Sequence, residues 1–241
     1  MSFILIENYI INTHKIIILD EMTLPELRDQ DKYLSDFTKG TKEERKKIQN
    51  TANINSKFLE TKIDEDEGSV TFKFLTEATE LLQGNKKMNK DEQKYQIDPN
   101  TKEKQKNPSH TYEIWIKVLN VLPTKENEGW IEAYDIENEP VSNPQLKEIM
   151  NVADIQIFSN DPSFLFQGFQ YNLTVKDASI FPENRKPKRW NKIHGETALL
   201  TKHIAQLFTS MDFFLPQMAS SLNDKLQQLG YLPKKRKHTK K

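Results

Sequence analysis

Thr111-Tyr112-Glu113-Ile114-Trp115-Ile116-Lys117-Val118-Leu119 is the stretch that decides the fold. In extended backbone Tyr112, Ile114, Ile116 and Val118 share one face, and Trp115 and Leu119 take the other. A strand apolar on both sides belongs in the middle of a sheet, with neighbours on either hand. Working outward, Val70, Phe72 and Phe74 alternate with Thr71 and Lys73, the pattern of a half-buried strand. Val152 to Phe158 reads as a strand with Ile155 and Ile157 inward, and Trp130 to Ile136 as another, entered through a Glu128-Gly129 turn. Asn138 to Pro144 reads as loop, and Phe164 to Thr174 as an aromatic, extended segment.

Helical signals flank this region. Thr23 followed by Glu26 is a capping-box pair ahead of Leu24, Leu27, Leu34 and Phe37, with Gly40 as a stop. Thr41 and Glu44 repeat it and open a charged helix to about Asn50, and residues 3–19 read as one or two strands. Glu77 to Gln83 has the composition of a helical turn or two. Near the C-terminus, Glu196 to Met211 presents Leu199, Leu200, Leu207 and Phe208. After Pro216, Gln217 to Leu229 presents Met218, Leu222, Leu226 and Leu229 and stops at Gly230. The expected fold is α+β: an antiparallel sheet from roughly residues 68–174 against two C-terminal helices, with residues 1–67 as a flanking layer of strands and helices. The expected divisions are 1–67, 68–174, 175–233 and a basic tail at 234–241.

Within the sheet region, residues 84–109 are almost wholly polar and rich in lysine, with Met88, Tyr95 and Ile97 as the apolar exceptions. Such a segment buries too little surface to offset its ordering entropy, so it reads as a mobile insertion or an arm that orders on a partner. Charge is uneven along the chain. The 35 basic and 35 acidic residues cancel, yet Lys234 to Lys241 carries six bases and no acid, leaving residues 1–233 at −6. Only five of the basic residues are arginine, and lysine, asparagine and isoleucine are abundant, which is the codon usage of an AT-rich genome.

The absence of cysteine excludes disulfides, thiolate metal sites and a cysteine nucleophile. No apolar run approaches the ~20 residues of a membrane helix, and Met1 to Asn8 has neither the basic start nor the apolar length of a secretory signal. No nucleophile elbow, glycine-rich phosphate loop, dinucleotide fingerprint or His-Glu-x-x-His motif occurs. Asp64-Glu65-Asp66-Glu67-Gly68 lacks the downstream acid of a calcium loop and reads as a solvated turn. His14, His110, His194, His203 and His238 are scattered, none beside an evident nucleophile. The expectation is a protein without catalytic residues and without a cofactor.

From Asp154 to Ile204 the landmarks are Ser159-Asn160-Asp161-Pro162-Ser163-Phe164, Tyr171-Asn172-Leu173-Thr174, Pro182-Glu183-Asn184-Arg185 and Thr201-Lys202-His203. In this order they resemble a phage-encoded protein family with a SWIM-like zinc motif. There a strand ends in Cys-x-Cys-Pro, an aromatic strand follows, then a proline-rich basic loop, and Cys-Lys-His opens a helix. The resemblance covers about a fifth of the chain. It implies a ββα element, and it places Ser159, Asp161, Thr201 and His203 where the family holds its metal. Two neutral hydroxyls, one carboxylate and one imidazole are not a structural zinc set. The expectation is therefore the shape without the metal, with Ser159 or Asp161 accepting from backbone N–H groups in the turn and His203 packed beneath. A stand-in site from Asp161, His203 and His194 is the alternative.

Two functions follow as expectations. The first is a non-enzymatic structural or assembly protein of a bacteriophage virion, in the neck, portal or tail or inside the head, assembled in the host cytoplasm. Its partners would be other virion proteins and copies of itself in a ring, with nonspecific contact to packaged DNA and none to membrane. The second is nucleic-acid binding. The loop at 182–195 sets Arg185, Lys186, Lys188, Arg189 and Lys192 around Trp190, offering phosphate contacts and a stacking surface. Lys234, Lys235, Arg236 and Lys237 add a sequence-independent electrostatic hook.

Overall fold

In the computed structural model the described residues are 22–30, 55–77, 82–83, 86–87, 95–97, 104–106, 111–125, 129–130, 139–190 and 199–233. The expected strands at 3–19, the charged helix at 41–50 and the basic tail at 234–241 lie outside them. So do Lys192 and His194.

The α+β architecture is as the sequence predicts, an antiparallel sheet with helices. Four strands, β1 (Ser56–Asp64), β2 (Ser69–Glu77), β7 (Thr111–Val118) and β8 (Ile155–Ser159), pair in the order β1-β2-β7-β8. β7 is internal, as its two apolar faces require. The ladder runs Val70↔Val118 and Phe74↔Ile114 between β2 and β7, then Val118↔Ile155 and Ile114↔Ser159 between β7 and β8. This register gathers Val70, Phe72, Phe74, Ile114, Ile116, Val118, Ile155 and Ile157 into one buried layer.

The sheet begins earlier than residue 68. β1 carries only Phe58 and Ile63 as partly buried apolar residues, and its register shifts at a bulge between Phe58 and Glu60. The Asp64–Gly68 turn, where Asp64 Oδ1 accepts from the Asp66 and Glu67 N–H groups, joins it to β2. The 67/68 division therefore falls within one hairpin.

Helices cover the apolar layer. The expected capping box opens α1 (Leu24–Gln30): the Thr23 N–H and hydroxyl donate to Glu26 Oε2, and the Glu26 N–H returns to Thr23 Oγ1. Helix α2 (Asn143–Val152) replaces the end of the expected loop and the start of the expected strand. Ser142 and Gln145 form a second capping box there, Pro144 sits in the first turn where its missing N–H costs nothing, and Leu146, Ile149 and Met150 are buried at helical spacing. Trp130 lies in helical backbone rather than starting a strand, and residues 131–138 are outside the described set.

Phe164 to Thr174 is not extended. It forms α3 (Pro162–Phe166) and α4 (Phe169–Val175), separated by Gly168 at φ 96°. Pro162 at a helix start and the Phe169–Leu173 pair one turn apart outweigh the strand propensity of the aromatics. The second strand of the ββα shape is thereby absent. Helix α5 (Lys202–Thr209) starts six residues later than expected, since Thr201 accepts from the Ile204 N–H as its cap; Leu199 and Leu200 are buried ahead of it. After a 3₁₀ turn at Met211–Phe213, α6 (Leu215–Leu229) takes Pro216 into its first turn rather than after a break. It ends at Gly230 in the left-handed region, as expected.

Leu82–Gln83 is strand (β3), not helical turn, and pairs with Lys86–Lys87 (β4). Within the polar insertion, expected to be mobile or to order on a partner, Tyr95–Ile97 (β5) also pairs with Lys104–Lys106 (β6), so its described residues form short backbone ladders.

The second face of the sheet carries a cross-strand row that includes its two large aromatics, Trp115 and Phe158. Glu60 pairs with Lys73, Lys73 with Trp115, and Trp115 with Phe158. Lys73 Nζ lies 3.8 Å from the Trp115 ring centroid and 3.4 Å from Glu60 Oε1. Burial, then neighbouring Lys62, lowers the Lys73 ammonium from its usual value against the pull of Glu60. Phe181 packs edge-on to Phe158 and Trp115.

Candidate functional site

The four positions implied by the resemblance converge. Ser159 ends β8, Asp161 caps α3, and Thr201 and His203 open α5; all four are buried, Asp161 at 2% and His203 at 4% exposure. The Asp161 N–H donates to Ser159 Oγ at 3.1 Å, tightening the turn off the sheet. Asp161 Oδ1 then accepts from the Ser163 N–H at 2.8 Å, satisfying an orphan donor at the start of α3. Its other oxygen, Oδ2, is 2.7 Å from His203 Nδ1. One residue, through its N–H and both carboxylate oxygens, thus ties the strand end, α3 and α5 together.

Tyr112, at the same end of the sheet, meets the His203 ring edge-on with centroids 5.0 Å apart. Burial, and secondarily the Asp161 charge, push the Tyr112 hydroxyl above its usual range. Sequence reading did not single out Tyr112; its place on the core face of β7 was the available signal. His203 Nε2 has no hydrogen-bond partner among the described residues.

These donors do not fit the zinc of the resembling family. Both Asp161 oxygens already accept hydrogen bonds, Thr201 is occupied as a helix cap, and Ser159 accepts within its turn. Among the described residues no group of three or more His, Cys, Asp or Glu is placed to hold a metal ion. Chemically the cluster is a fastener: its polar atoms close turns and helix starts, and no hydroxyl or carboxylate in it is presented to a surface.

No protein-family model, curated protein or solved structure matches the chain.

The basic loop is a separate surface, and residues 182–190 of it are described. Two of its expected nucleic-acid contacts are engaged within the chain. Arg185 Nε and Nη2 reach the two Glu183 oxygens at 3.0 and 2.9 Å, and the Arg185 N–H donates to Glu183 Oε1. Those side-chain bonds, then the backbone bond, hold the Glu183 carboxyl down to about 2, and the same pair raises the Arg185 guanidinium. Trp190 is half-buried over Gly168, where a Cβ would stand 2.6 Å from its ring, and it meets Tyr171 edge-on. Lys186, Lys188 and Arg189 remain exposed, with no ion pair to any described residue. Among its described residues the loop therefore offers three free cations on a clamped base, with Arg185 engaged and Trp190 seated on Gly168, while Lys192 lies outside them.

Proposed function

We propose that the chain is a non-enzymatic structural component of a bacteriophage particle, in the neck, portal or tail or within the head, working through contacts with other virion proteins and with copies of itself. The observation that carries this reading is the closed Ser159–Asp161–Thr201–His203 cluster. Where the resembling family keeps a metal, this chain spends a carboxylate, two hydroxyls and an imidazole on holding three elements together. An acid with both oxygens committed inside the core is poorly disposed to act as a base on a bound substrate. The AT-rich, lysine-heavy composition and the order of landmarks from Asp154 to Ile204 support the phage setting. Phe213 at 83% and Phe166 at 69% exposure support a surface that meets protein. Among the described residues no helix is long and apolar enough to cross a membrane.

Mass spectrometry of purified particles is the test. The chain should be recovered at a fixed ratio to the major virion proteins, and its absence from mature particles overturns the reading. The second reading, nucleic-acid binding, is favoured by the free Lys186, Lys188 and Arg189. It calls for binding to DNA that falls steeply with salt, as phosphate contacts release counterions.

A further inference from the structure

Two exposed sets of like charge without ion-pair partners among the described residues lie at opposite ends of the sheet. The Asp64–Gly68 turn closes β1 to β2 beside Val70, and the ladder continues from Val70 through Val118 to Ile155, the start of β8. β8 runs away from that turn to Ser159. The chain later returns through an isolated parallel bridge, Ile157↔Ser179, with the Ile157 N–H donating to Ala178 O and the Ile180 N–H to Ile157 O. Being parallel to β8, residues 179–181 head toward the Ser159 end, and residues 182–190 emerge there. Trp190, seated on Gly168 just after α3, anchors them at that end.

At the turn end, Asp64, Glu65 and Asp66 are exposed and have no cationic partner among the described residues, whereas Glu67 is neutralised by Lys117. The C-terminus of α6 lies beside them, since the Tyr231 hydroxyl reaches Glu65 Oε2 at 3.5 Å, and it adds exposed Leu229. At the other end stand Lys186, Lys188 and Arg189, with exposed Phe166 at the close of α3. The β8 pairing alone covers four residue steps, about 13 Å, and both loops extend beyond it. The two charge sets are thus farther apart than the ~8 Å screening length at physiological salt, and neither neutralises the other within one chain.

We infer that the Lys186–Lys188–Arg189 face binds a second copy of this chain, which presents its Asp64–Glu65–Asp66 turn. The contact is heterologous: each copy offers one unlike surface at each end, so association continues until a ring closes or a filament grows. Complementary charge fixes polarity and register, and the apolar residues beside each set supply area that charge alone lacks. The inference rests on the assembly reading above and names the surface it uses. Absence from particles would end that reading, whereas the experiment below examines self-association of the purified chain.

Three full-length variants decide it, by sedimentation equilibrium before and after nuclease treatment in about 50 mM and about 500 mM salt. One carries D64K, E65K and D66K, the second K186E, K188E and R189E, and the third all six. The substituted side chains are exposed; D64K gives up the two turn hydrogen bonds that Asp64 accepts, and a cooperative thermal transition confirms that each variant folds. Wild type should exceed the one-chain mass at low salt and fall toward it at high salt. Each triple variant should associate roughly 100-fold more weakly, because like charges then face each other. The sixfold variant, and an equimolar mixture of the two triple variants, should regain wild-type mass. A monomeric wild type, insensitivity to either triple variant, or failure of the sixfold variant to recover overturns the inference. So does loss of the higher mass on nuclease treatment, which would assign the cations to nucleic acid.

Discussion

Replacing Asp161 with alanine should destabilise the protein more than any other single change in the cluster. The substitution removes the cap on the Ser163 N–H, about 1 kcal/mol by analogy with other helix starts. It also leaves His203 Nδ1 in the core without its 2.7 Å partner, about 1–3 kcal/mol for a stranded buried polar group. The sum, about 2–4 kcal/mol, is a large share of the roughly 5–15 kcal/mol that holds a domain folded. At roughly 2–4 °C per kcal/mol for a chain of this size, the melting temperature should fall by about 4–16 °C. Asp161→Asn separates the two contributions. Its amide oxygen keeps the cap, while its NH₂ faces Nδ1 and drives the imidazole proton to Nε2, which has no partner among the described residues. It should therefore fall between wild type and alanine. Urea unfolding followed by tryptophan fluorescence reads these differences as a shift in midpoint at unchanged slope. The double variant with His203→Phe should cost about 1–2 kcal/mol less than the two single changes together, because either change alone already breaks the shared bond. A loss below about 0.5 kcal/mol for the alanine variant, or strict additivity in the cycle, would refute the role given to the pair.

Glu183, whose folded-state value of about 2 lies below the ordinary 4.5, contributes stability above about pH 4.5 and loses it as pH falls toward 2; carboxyl NMR should find that midpoint, and Arg185→Ala should return it upward. Gly168→Ala should destabilise more than Gly230→Ala: both sit at positive φ, but a Cβ at Gly168 meets the Trp190 ring while one at Gly230 meets nothing within 4 Å. Conformational strain alone accounts for about 1–2 kcal/mol at Gly230, so equal urea midpoints for the two variants would contradict the clamped tryptophan. Elemental analysis of the purified protein should find no stoichiometric zinc; one zinc per chain would overturn the donor argument and make Asp161, His203 and His194 the first ligands to test.

What the sequence disclosed depended on whether a signal was local. Thr23 with Glu26 and Gly230 after Leu229 need only their neighbours, and both behave as expected. The central place of β7 followed from its own alternation. β1 was not legible, because an edge strand with a bulge and two half-buried residues carries little periodicity. Helix α2 was legible in principle, through Ser142, Gln145 and the Leu146–Ile149–Met150 spacing, but Pro144 draws the eye to a loop. The aromatics from Phe164 to Thr174 mislead for a tertiary reason: Phe164, Phe169 and Leu173 pack into the core from two short helices that Gly168 folds apart. At the site, the meeting of Ser159, Asp161, Thr201 and His203 was implied by the resemblance, whereas Tyr112 joins them only through the sheet. Positive charge in the loop was plain, but Arg185 engaged by Glu183 and Trp190 seated on Gly168 depend on how the chain reverses.

A hydrogen-bonded cluster asks more of the rest of the fold than a structural metal would. Structural zinc contributes on the order of 10 kcal/mol or more, enough for a small motif to fold on little else. Caps and buried hydrogen bonds contribute about 1–2 kcal/mol each, so the bonds around Asp161 supply less than that. The remainder has to come from burial, and the arrangement shows where. Ile204, Leu207 and Phe208 of α5 are buried in the same core as Met218, Leu222 and Leu226 of α6. Each such side chain contributes about 1.5–3 kcal/mol when fully buried. The described residues around Asp161 and His203 are therefore held by the core they share with the sheet and α6 rather than by themselves. Removing α6 should release the Asp161–His203 pair along with the helix, whereas a metal-bound element would keep its own shape.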